Sequence, residues 1–521
     1  MKSIQLKKYV KENFIFVILL AMMTVYYAFL VFHMKPWYDE LYTYYSFISR
    51  GPVYSAIHWP VPNNHVFYSV LSGFLDYLGN SYIGLRGISF IAAVMNMILL
   101  YQLAKKFVNE YLSVACVILY VSAYQVNNLS VQGRGYTLTT MCYLIAIHCL
   151  YVICNQEAKK IHYCIYACAL TGGLYAIVSS TFWVLPICFA GGFYLLYKKD
   201  YKTLFRLIFA SLVAACMTLF LYTLIWLAIG SNLLCKNPES IYYGIYQVKI
   251  ILQAPFEALR TGMEYMLATP YIQGDERSYI VAELFNYLSG VFHLHFSNMG
   301  EFITIFMGMG AIFIGICLAK KKYDNDDAVF VSIYLLVSII MLPVMLIVQS
   351  VQPYFRVFTF FSVPVAMMVV WIIKWLIGFI EKDIIKKYSV ILCLCVVAVF
   401  GAMKLVSGEY QAQYAGRENE IAEIFENETE KLQSICYMDD YQKYVLKFYY
   451  DLEPTEDYIG TAQYVLMPKE IYQEDYLVPV WPTLYTYESV EWDKLEREYT
   501  VIKETANYYL YAINGGLLDI D

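Results

Sequence analysis

Long apolar stretches, each followed by a short polar one, fill most of the chain up to residue 407. A helix needs roughly 17–25 apolar residues to cross about 30 Å of hydrocarbon, and eleven stretches meet this requirement. They are residues 13–33, 84–104, 111–130, 136–154, 161–178, 181–197, 207–229, 301–319, 328–349, 357–379 and 388–407. The pattern predicts an α-helical polytopic membrane protein with about eleven transmembrane helices.

The basic residues indicate how these helices are oriented. Lysine and arginine cluster at the N-terminus and then in every second loop, for example at residues 105–106, 198–206 and 382–387. Loops rich in Lys and Arg stay in the cytoplasm. The pattern therefore predicts a multi-pass cell-membrane protein with a cytoplasmic N-terminus. An odd number of helices then places the C-terminal tail outside.

Two of the predicted outer loops are long. Loop 34–83 is rich in aromatic residues and contains two segments, 38–49 and 65–78, that suit helices lying along the membrane interface. Loop 230–300 is also aromatic and apolar, and loops of such length are usually functional or disordered. Its apolar content favours a functional role.

The chain changes character after residue 407. Helical spacing with many glutamates runs through residues 417–432, and short segments rich in Tyr, Val and Ile predict strands. The predicted strands are 434–438, 463–467, 499–503 and 508–513. The sequence thus predicts a transmembrane domain over residues 1–407, followed by a small extracytoplasmic α/β domain over residues 408–521.

Composition supports this assignment and excludes some functions. Charged residues make up 15% of the chain and hydrophobic ones 60%, whereas soluble domains carry about 25% charged residues. The apolar composition makes the lipid bilayer a predicted partner. The net charge is −6 and no basic face stands out, so nucleic acid is not a predicted partner.

Polar and charged residues at the outer ends of the helices are the candidates for chemistry. Helix alternation places five groups on one side of the membrane, although they lie far apart in sequence. They are Trp37-Tyr38-Asp39-Glu40, Pro62-Asn63-Asn64-His65, Arg86, Gln132-Gly133-Arg134-Gly135-Tyr136 and Gln352-Pro353-Tyr354-Phe355-Arg356.

Each candidate also has a simpler interpretation. A carboxylate pair after a helix is as often a solvated cap, and Arg86 at a helix end more simply snorkels towards headgroups. A lone histidine such as His65 is more often structural. Arg134 differs because glycines flank it and allow backbone or ligand to approach closely, which favours a function there.

In order, spacing and side of the membrane, these motifs resemble the GT-C class of glycosyltransferases that use polyprenyl-phosphate sugars. The branch they resemble is that of the protein O-mannosyltransferases and lipid A aminoarabinose transferases (glycosyltransferase family 39). The residues that carry the resemblance are Asp39-Glu40, Pro62 to His65 with Tyr68, Leu85-Arg86 and Gly133-Arg134-Gly135-Tyr136. The resemblance covers residues 1 to about 200 and continues more loosely through Arg356 and Pro364. The chain departs from it at Val66, where many relatives have proline.

The resemblance implies transfer of a sugar from a polyprenyl-phosphate donor to an acceptor hydroxyl outside the cytoplasm, with inversion. The acceptor would be a glycan, a lipid or a protein. Phosphate is a good leaving group, so the reaction needs a base for the acceptor and cations for the phosphate. The implied catalytic residues are Asp39 as base and Glu40, and the implied phosphate ligands are Arg134, Arg356 and Arg86. The remaining substrate-binding candidates are Tyr38, Asn64, His65 and Tyr136.

A divalent metal is an open alternative in this site. Asp39, Glu40 and His65 are residue types that bind such ions, but the resemblance does not require a metal.

Two other functions compete with sugar transfer. A transporter or flippase of lipid-linked sugars would carry charges deep within its spans and a pair of broken helices, and the sequence has almost no charge between helix ends. A receptor whose tail binds ligands would leave the Asp39-Glu40 and Gly133-Arg134-Gly135 motifs unexplained.

Overall fold

A computed structural model gives the fold of the chain. It describes residues 12–58, 64–230, 247–267, 277–296, 299–323, 325–350, 352–406, 417–425, 435–438, 440–450, 459–472, 487 and 490–514. The chain forms two compact units. The first comprises Met1–Phe32 and Arg50–Tyr410, and the second comprises His33–Ser49 and Gln411–Asp521.

Helices dominate the first unit, and one helix of the second unit, α2, lies between α1 and α3 in sequence. They are α1 Phe14–His33, α2 Tyr38–Ser46, α3 Pro52–Ile57, α4 Val66–Asp76, α5 Ser81–Ala104, α6 Glu110–Ser122, α7 Tyr124–Leu129, α8 Tyr136–Asn155, α9 Lys160–Ala176, α10 Thr181–Lys198, α11 Tyr201–Gly230, α12 Gln247–Leu267, α13 Arg277–Phe296, α14 Gly300–Ala319, α15 Asp326–Gln349, α16 Ser362–Gly378 and α17 Asp383–Val406. Short 3-10 turns at Ile48–Arg50, Val178–Ser180 and Phe355–Phe361 precede α3, α10 and α16.

The predicted helical membrane architecture is confirmed. Within the described residues, nine helices are long and apolar enough to cross a membrane. The two other predicted spans coincide with α6, which has 13 residues, and α9, which has 17. Helices α2 and α4 lie in the two helical segments predicted for loop 34–83, and loop 230–300 contains α12 and α13.

The third predicted span, residues 111–130, is wrong as a continuous helix. Helix α6 ends at Ser122, Ala123 is extended at ψ 128°, and α7 starts at Tyr124. The side-chain amide of Asn127 donates to the carbonyl of Val121 over 3.4 Å, which satisfies an acceptor that the break releases. Helix α6 packs against α16 and α17, where Gly401 of α17 approaches Ile118 and Ser122 so closely that a Cβ would lie 2.8 Å from each.

The second unit contains the strands predicted for the C-terminal part of the chain, together with residues His33–Ser49, which lie outside the predicted bounds 408–521. Its elements after α2 are α18 Arg417–Phe425, β1 Ile435–Tyr437, α19 Asp440–Tyr450, β2 Tyr464–Pro468, a 3-10 turn Lys469–Tyr472, α20 Trp492–Glu498, β3 Tyr499–Glu504 and β4 Tyr508–Ile513. All four predicted strands are confirmed. The helix predicted over 417–432 ends at Phe425 as α18, and the rest of that segment lies outside the described residues.

The four strands form one sheet in the order β1-β2-β4-β3. Strands β1 and β2 are parallel, and the sequence did not predict α19, the crossover helix that a parallel pair requires. Strand β4 runs antiparallel to both β2 and β3. Cys436, Val465 and Met467 of the sheet pack with Leu495 and Tyr499 in a buried core.

Candidate active site

His65 and Arg134 are 69 residues apart in sequence but lie side by side in the first unit. His65 immediately precedes α4, and Arg134 lies in the turn between α7 and α8. Their Nε2 and Nη2 atoms are 3.3 Å apart. The two residues are only 3% and 4% exposed, so the contact is shielded from bulk solvent.

The backbone of Gly135 fixes the proton on the His65 ring. Its N–H donates to His65 Nδ1 over 2.7 Å. Because a backbone amide only donates, Nδ1 must accept, and a neutral imidazole then carries its proton on Nε2. His65 Nε2 and the Arg134 guanidinium are therefore two donors that converge on one place.

The two glycines beside Arg134 allow this close packing. A Cβ at Gly133 would lie 2.3 Å from Leu85 Cδ1, and one at Gly135 would lie 3.1 Å from His65 Cβ. Ser89 of α5 also holds the turn, since its hydroxyl donates to the Gln132 carbonyl over 2.5 Å. The close approach expected around Arg134 is present, while the role of Ser89 was not predicted.

Arg356 joins the same group through Tyr136. Its Nε donates to the Tyr136 hydroxyl over 3.1 Å, although 220 residues separate them. The Tyr136 ring lies edge-on to His65, with centroids 5.1 Å apart. The structure thus brings together four predicted residues, His65, Arg134, Tyr136 and Arg356, which we call the cation cluster.

The cation cluster is positively charged. Burial, and then the charges of Arg134 and Arg356, hold the pKa of His65 well below its usual value, so the imidazole is neutral at pH 7. Helix α8 begins at Tyr136, and the positive end of a helix dipole lies at its N-terminus. Two guanidinium groups and a helix N-terminus around an imidazole N–H form a site that suits an anion.

Two other candidates hold neighbouring backbone segments. Arg86 is fully buried, and its Nη1 donates to the Val31 carbonyl of α1 over 3.0 Å. The Asn64 side-chain amide donates to the carbonyl of Ser55 over 3.1 Å and to that of His58. Substrate contacts by these two residues stay a prediction, and Pro62 and Asn63 lie outside the described residues.

The acidic candidates belong to the second unit, in the first turn of α2. Glu40 is fully buried, and its Oε2 accepts the Trp37 N–H over 3.1 Å, which caps the start of the helix. Asp39 is half-buried. The two adjacent carboxylates therefore differ in structural role, and their catalytic roles stay predictions. In the part of the chain that the structure describes, no three His, Cys, Asp or Glu side chains are grouped to hold a metal ion.

Comparison with known proteins shows what the chain is similar to. Residues 65–226, which include His65, Arg134 and Tyr136, match the family model described as dolichyl-phosphate-mannose-protein mannosyltransferase. No curated protein has significant sequence similarity to the chain. The fold and the family match confirm the resemblance to GT-C glycosyltransferases.

Among solved structures, the chain is similar to ArnT from Cupriavidus metallidurans bound to undecaprenyl phosphate. The TM-score is 0.57 at 12% identity, over 97% of this chain and 99% of that one. The apo state of the same protein gives a TM-score of 0.55 at 10% identity, over 95% and 97% of the two chains. The shared architecture therefore extends over almost the whole chain.

Proposed function

We propose that the protein transfers a sugar from a polyprenyl-phosphate donor to an acceptor hydroxyl, with inversion at the anomeric carbon. The observation that carries this proposal is the convergence of His65 Nε2–H and the Arg134 guanidinium, 3.3 Å apart, within the cation cluster. Two donors that converge on one place can both donate to a single anionic phosphate oxygen. ArnT, which has a similar fold, binds undecaprenyl phosphate.

The proposed reaction needs no acid for the leaving group. The acceptor oxygen forms a bond to the anomeric carbon while the bond from that carbon to the phosphate oxygen breaks. The acceptor proton passes to the Asp39 carboxylate, and the products are a glycoside and a polyprenyl phosphate. Arg134 and Arg356 stabilise the charge that develops on the departing phosphate. Glu40, which caps α2, supports the proposed base rather than replacing it.

An apolar groove in the first unit suits the hydrocarbon chain of the donor. It has a volume of about 580 Å³ and is lined by α9, α10 and α11. On α10 the lining residues run from Thr181 to Leu196, which spans about 22 Å of helix. Thr181 directly follows Ser180, whose hydroxyl forms a 2.6 Å hydrogen bond with the hydroxyl of Thr139. Thr139 lies one helical turn along α8 from Tyr136. The groove thus begins near the cation cluster.

Gly192 offers a direct test of this groove. It lines the groove, and a Cβ there would meet nothing within 4 Å, so Gly192→Phe fills the space without a backbone clash. The donor chain would move from groove to bilayer and lose roughly ten atom contacts, about 1 kcal/mol in total. Donor affinity should fall about fivefold. Gly308→Phe, at an equally open position on α14, is the matched control. Equal donor affinity in both variants would show that the groove does not bind the donor chain.

The alternation of basic loops supports an orientation of the protein in the membrane. We propose a cytoplasmic N-terminus and an outer location for the cation cluster and the C-terminal domain. A tag fused after Asp521 should be digested by protease in intact spheroplasts. Protection of that tag would reverse the orientation.

The decisive experiment separates transfer from transport. Purified protein in detergent should bind undecaprenyl phosphate and release sugar from a radiolabelled polyprenyl-phosphate sugar when an acceptor is supplied. A flippase would move the labelled lipid across proteoliposomes without cleaving it. Among the described residues, the buried Asp, Glu, Lys and Arg side chains are Glu40, Arg86 and Arg134, and none lies at the centre of a spanning helix. This distribution favours transfer.

A further inference from the structure

The helix that carries Asp39 packs against a helix of the C-terminal domain within the second unit. The ring of Tyr444 on α19 stacks on Tyr45 of α2, with centroids 5.4 Å apart and planes at 13°. It also lies 6.3 Å from the rings of Tyr38 and Tyr42. One residue of the C-terminal domain therefore contacts three tyrosines of α2.

These three tyrosines form a single stripe on α2. Positions 38, 42 and 45 follow the i, i+4, i+7 spacing that places residues on one helix face. Asp39 lies about 100° around the helix from Tyr38, outside this stripe. Tyr444 therefore contacts α2 on a face other than the one that carries Asp39.

Helix α19 is itself fixed within the domain. Its Val445 and Leu446 are fully buried, and Gln442 Oε1 accepts the Met438 N–H over 2.9 Å. On the side towards α2, Lys447 Nζ lies 5.1 Å from the centre of the Tyr45 ring, within the range of a cation–π contact. The buried crossover helix thus contacts α2 through Tyr444, through Lys447 and through Phe448, whose ring lies edge-on to that of Tyr44 with centroids 6.1 Å apart.

We infer that Tyr444 is a positioning residue for Asp39, so that the C-terminal domain is a functional part of the catalytic machinery. The inference rests on the proposed role of Asp39 as base. A base must meet the acceptor proton at hydrogen-bond distance, and a change in the tilt of α2 moves its carboxylate. The ring of Tyr444, not its hydroxyl, makes the three aromatic contacts, so a phenylalanine preserves this function.

The first experiment compares Tyr444→Ala with Tyr444→Phe in the full-length protein. A displacement of about 1 Å costs up to about 10²-fold in rate, so Tyr444→Ala should lower kcat by about this factor. Donor KM should stay within about twofold, because the cation cluster binds the phosphate. Tyr444→Phe should restore kcat. Tyr472→Ala, which removes a ring that packs on Trp492 at 4.7 Å, is the matched control in the same domain and should leave kcat unchanged.

The second experiment asks whether Tyr444 acts through Asp39. In an Asp39→Asn background, Tyr444→Ala should cause no further loss of the residual kcat, since coupled residues are not additive. An equal loss in both backgrounds, or a wild-type kcat in Tyr444→Ala, would overturn the inference. A Tyr444→Ala protein with a lowered melting temperature and a loss of kcat that Tyr444→Phe does not restore would also overturn it.

Failure of the proposed function gives a different result. If Asp39→Asn keeps wild-type turnover, or if wild-type protein releases no sugar, the base or the reaction itself is wrong. If Asp39→Asn is inactive while Tyr444→Ala is fully active, only the positioning role is wrong.

Discussion

The cation cluster and the Asp39 helix are held in place by different forces. In the first unit, His65 and Arg356 are oriented by directional hydrogen bonds to the Gly135 backbone and the Tyr136 hydroxyl. In the second unit, α2 is oriented by ring contacts with Tyr444, which depend on shape rather than direction. A hydrogen-bonded site is sensitive to small displacements of single atoms, whereas an aromatic contact is sensitive to loss of a ring.

The two regions should also fail in different steps of the reaction. In the proposed reaction the donor phosphate is bound in the ground state and in the transition state, so damage to the cation cluster should weaken donor binding as well as rate. A base acts only in the transition state, so damage to the Asp39 helix should lower turnover and leave donor binding intact.

Asp39→Asn should have the largest effect. Loss of a general base lowers turnover by about 10²–10⁴-fold, while donor affinity should stay at the wild-type value. The change is nearly isosteric, and a carboxylate in the first turn of a helix contributes only about 0.3–1 kcal/mol. Turnover and donor binding are measured together. Asp493→Asn, in the first turn of α20, is the control. If Asp39→Asn keeps more than about a tenth of wild-type turnover, Glu40 becomes the candidate for the general base.

Arg134→Ala should weaken donor binding by roughly 1.5–3 kcal/mol, the value of a hydrogen bond to a charged group. This corresponds to a roughly ten- to 150-fold loss of affinity for undecaprenyl phosphate. Arg134→Lys keeps the charge but not the planar fork, so its defect should be smaller but measurable. Unchanged affinity in a stably folded Arg134→Ala protein would leave Arg356 as the principal phosphate ligand.

Gly133→Ala should displace the turn that carries Arg134. The added methyl group would lie 2.3 Å from Leu85 Cδ1 and 3.1 Å from the Leu85 carbonyl oxygen, and overpacking of this kind costs about 1–3 kcal/mol. The melting temperature and the donor affinity should both fall. Gly308→Ala, which meets nothing within 4 Å, should change neither, and an equally benign Gly133→Ala would show that the turn can relax.

The smallest effect should be a pH dependence of stability that comes from His65. Its pKa is lowered in the folded protein by burial and by Arg134 and Arg356, while in the unfolded chain it is about 6.5. Below about pH 6.5 the unfolded chain therefore binds more protons, and stability is lost as the pH falls, by at most about 1.4 kcal/mol per pH unit.

His65→Asn isolates this effect, because its side-chain oxygen can still accept the Gly135 N–H. The difference in melting temperature between wild type and His65→Asn should shrink between pH 7 and pH 5. Parallel curves over that range would show that His65 does not titrate differently on unfolding.

The sequence predicted those features that depend on one segment at a time. Apolar length was sufficient for the nine long spans among the described helices, and β-branched and aromatic runs were sufficient for the four strands. The helical crossover α19 was missed because its sequence, Asp440 to Tyr450, is rich in tyrosine and carries valine and phenylalanine, residues that also suit strands. The break at Ala123 was missed because apolar residues continue through it, and only the nearby amides of Gln125, Asn127 and Asn128 indicated it.

The candidate site was predicted as a set of residues but not as a set of contacts. The alternation of helices predicted that His65, Arg134, Tyr136 and Arg356 lie on one side of the membrane. The structure adds that these residues contact one another. The interactions of Ser89 with the Arg134 turn and of Tyr444 with α2 depend on tertiary packing. A single serine or tyrosine in an apolar or aromatic segment carries no periodic signal that would reveal it.

The short helix α6 also constrains how the protein is made. Spans enter the bilayer in the order of translation and then assemble with one another. Helix α6 offers the membrane only 13 helical residues, about 20 Å, and the chain that follows it carries three buried amides. It packs against α5, which precedes it, and against α16 and α17, which are the last of the described spans that the ribosome produces. The third span therefore completes its packing only when synthesis of the membrane unit is almost complete, and chains truncated before α16 should be targets for membrane quality control.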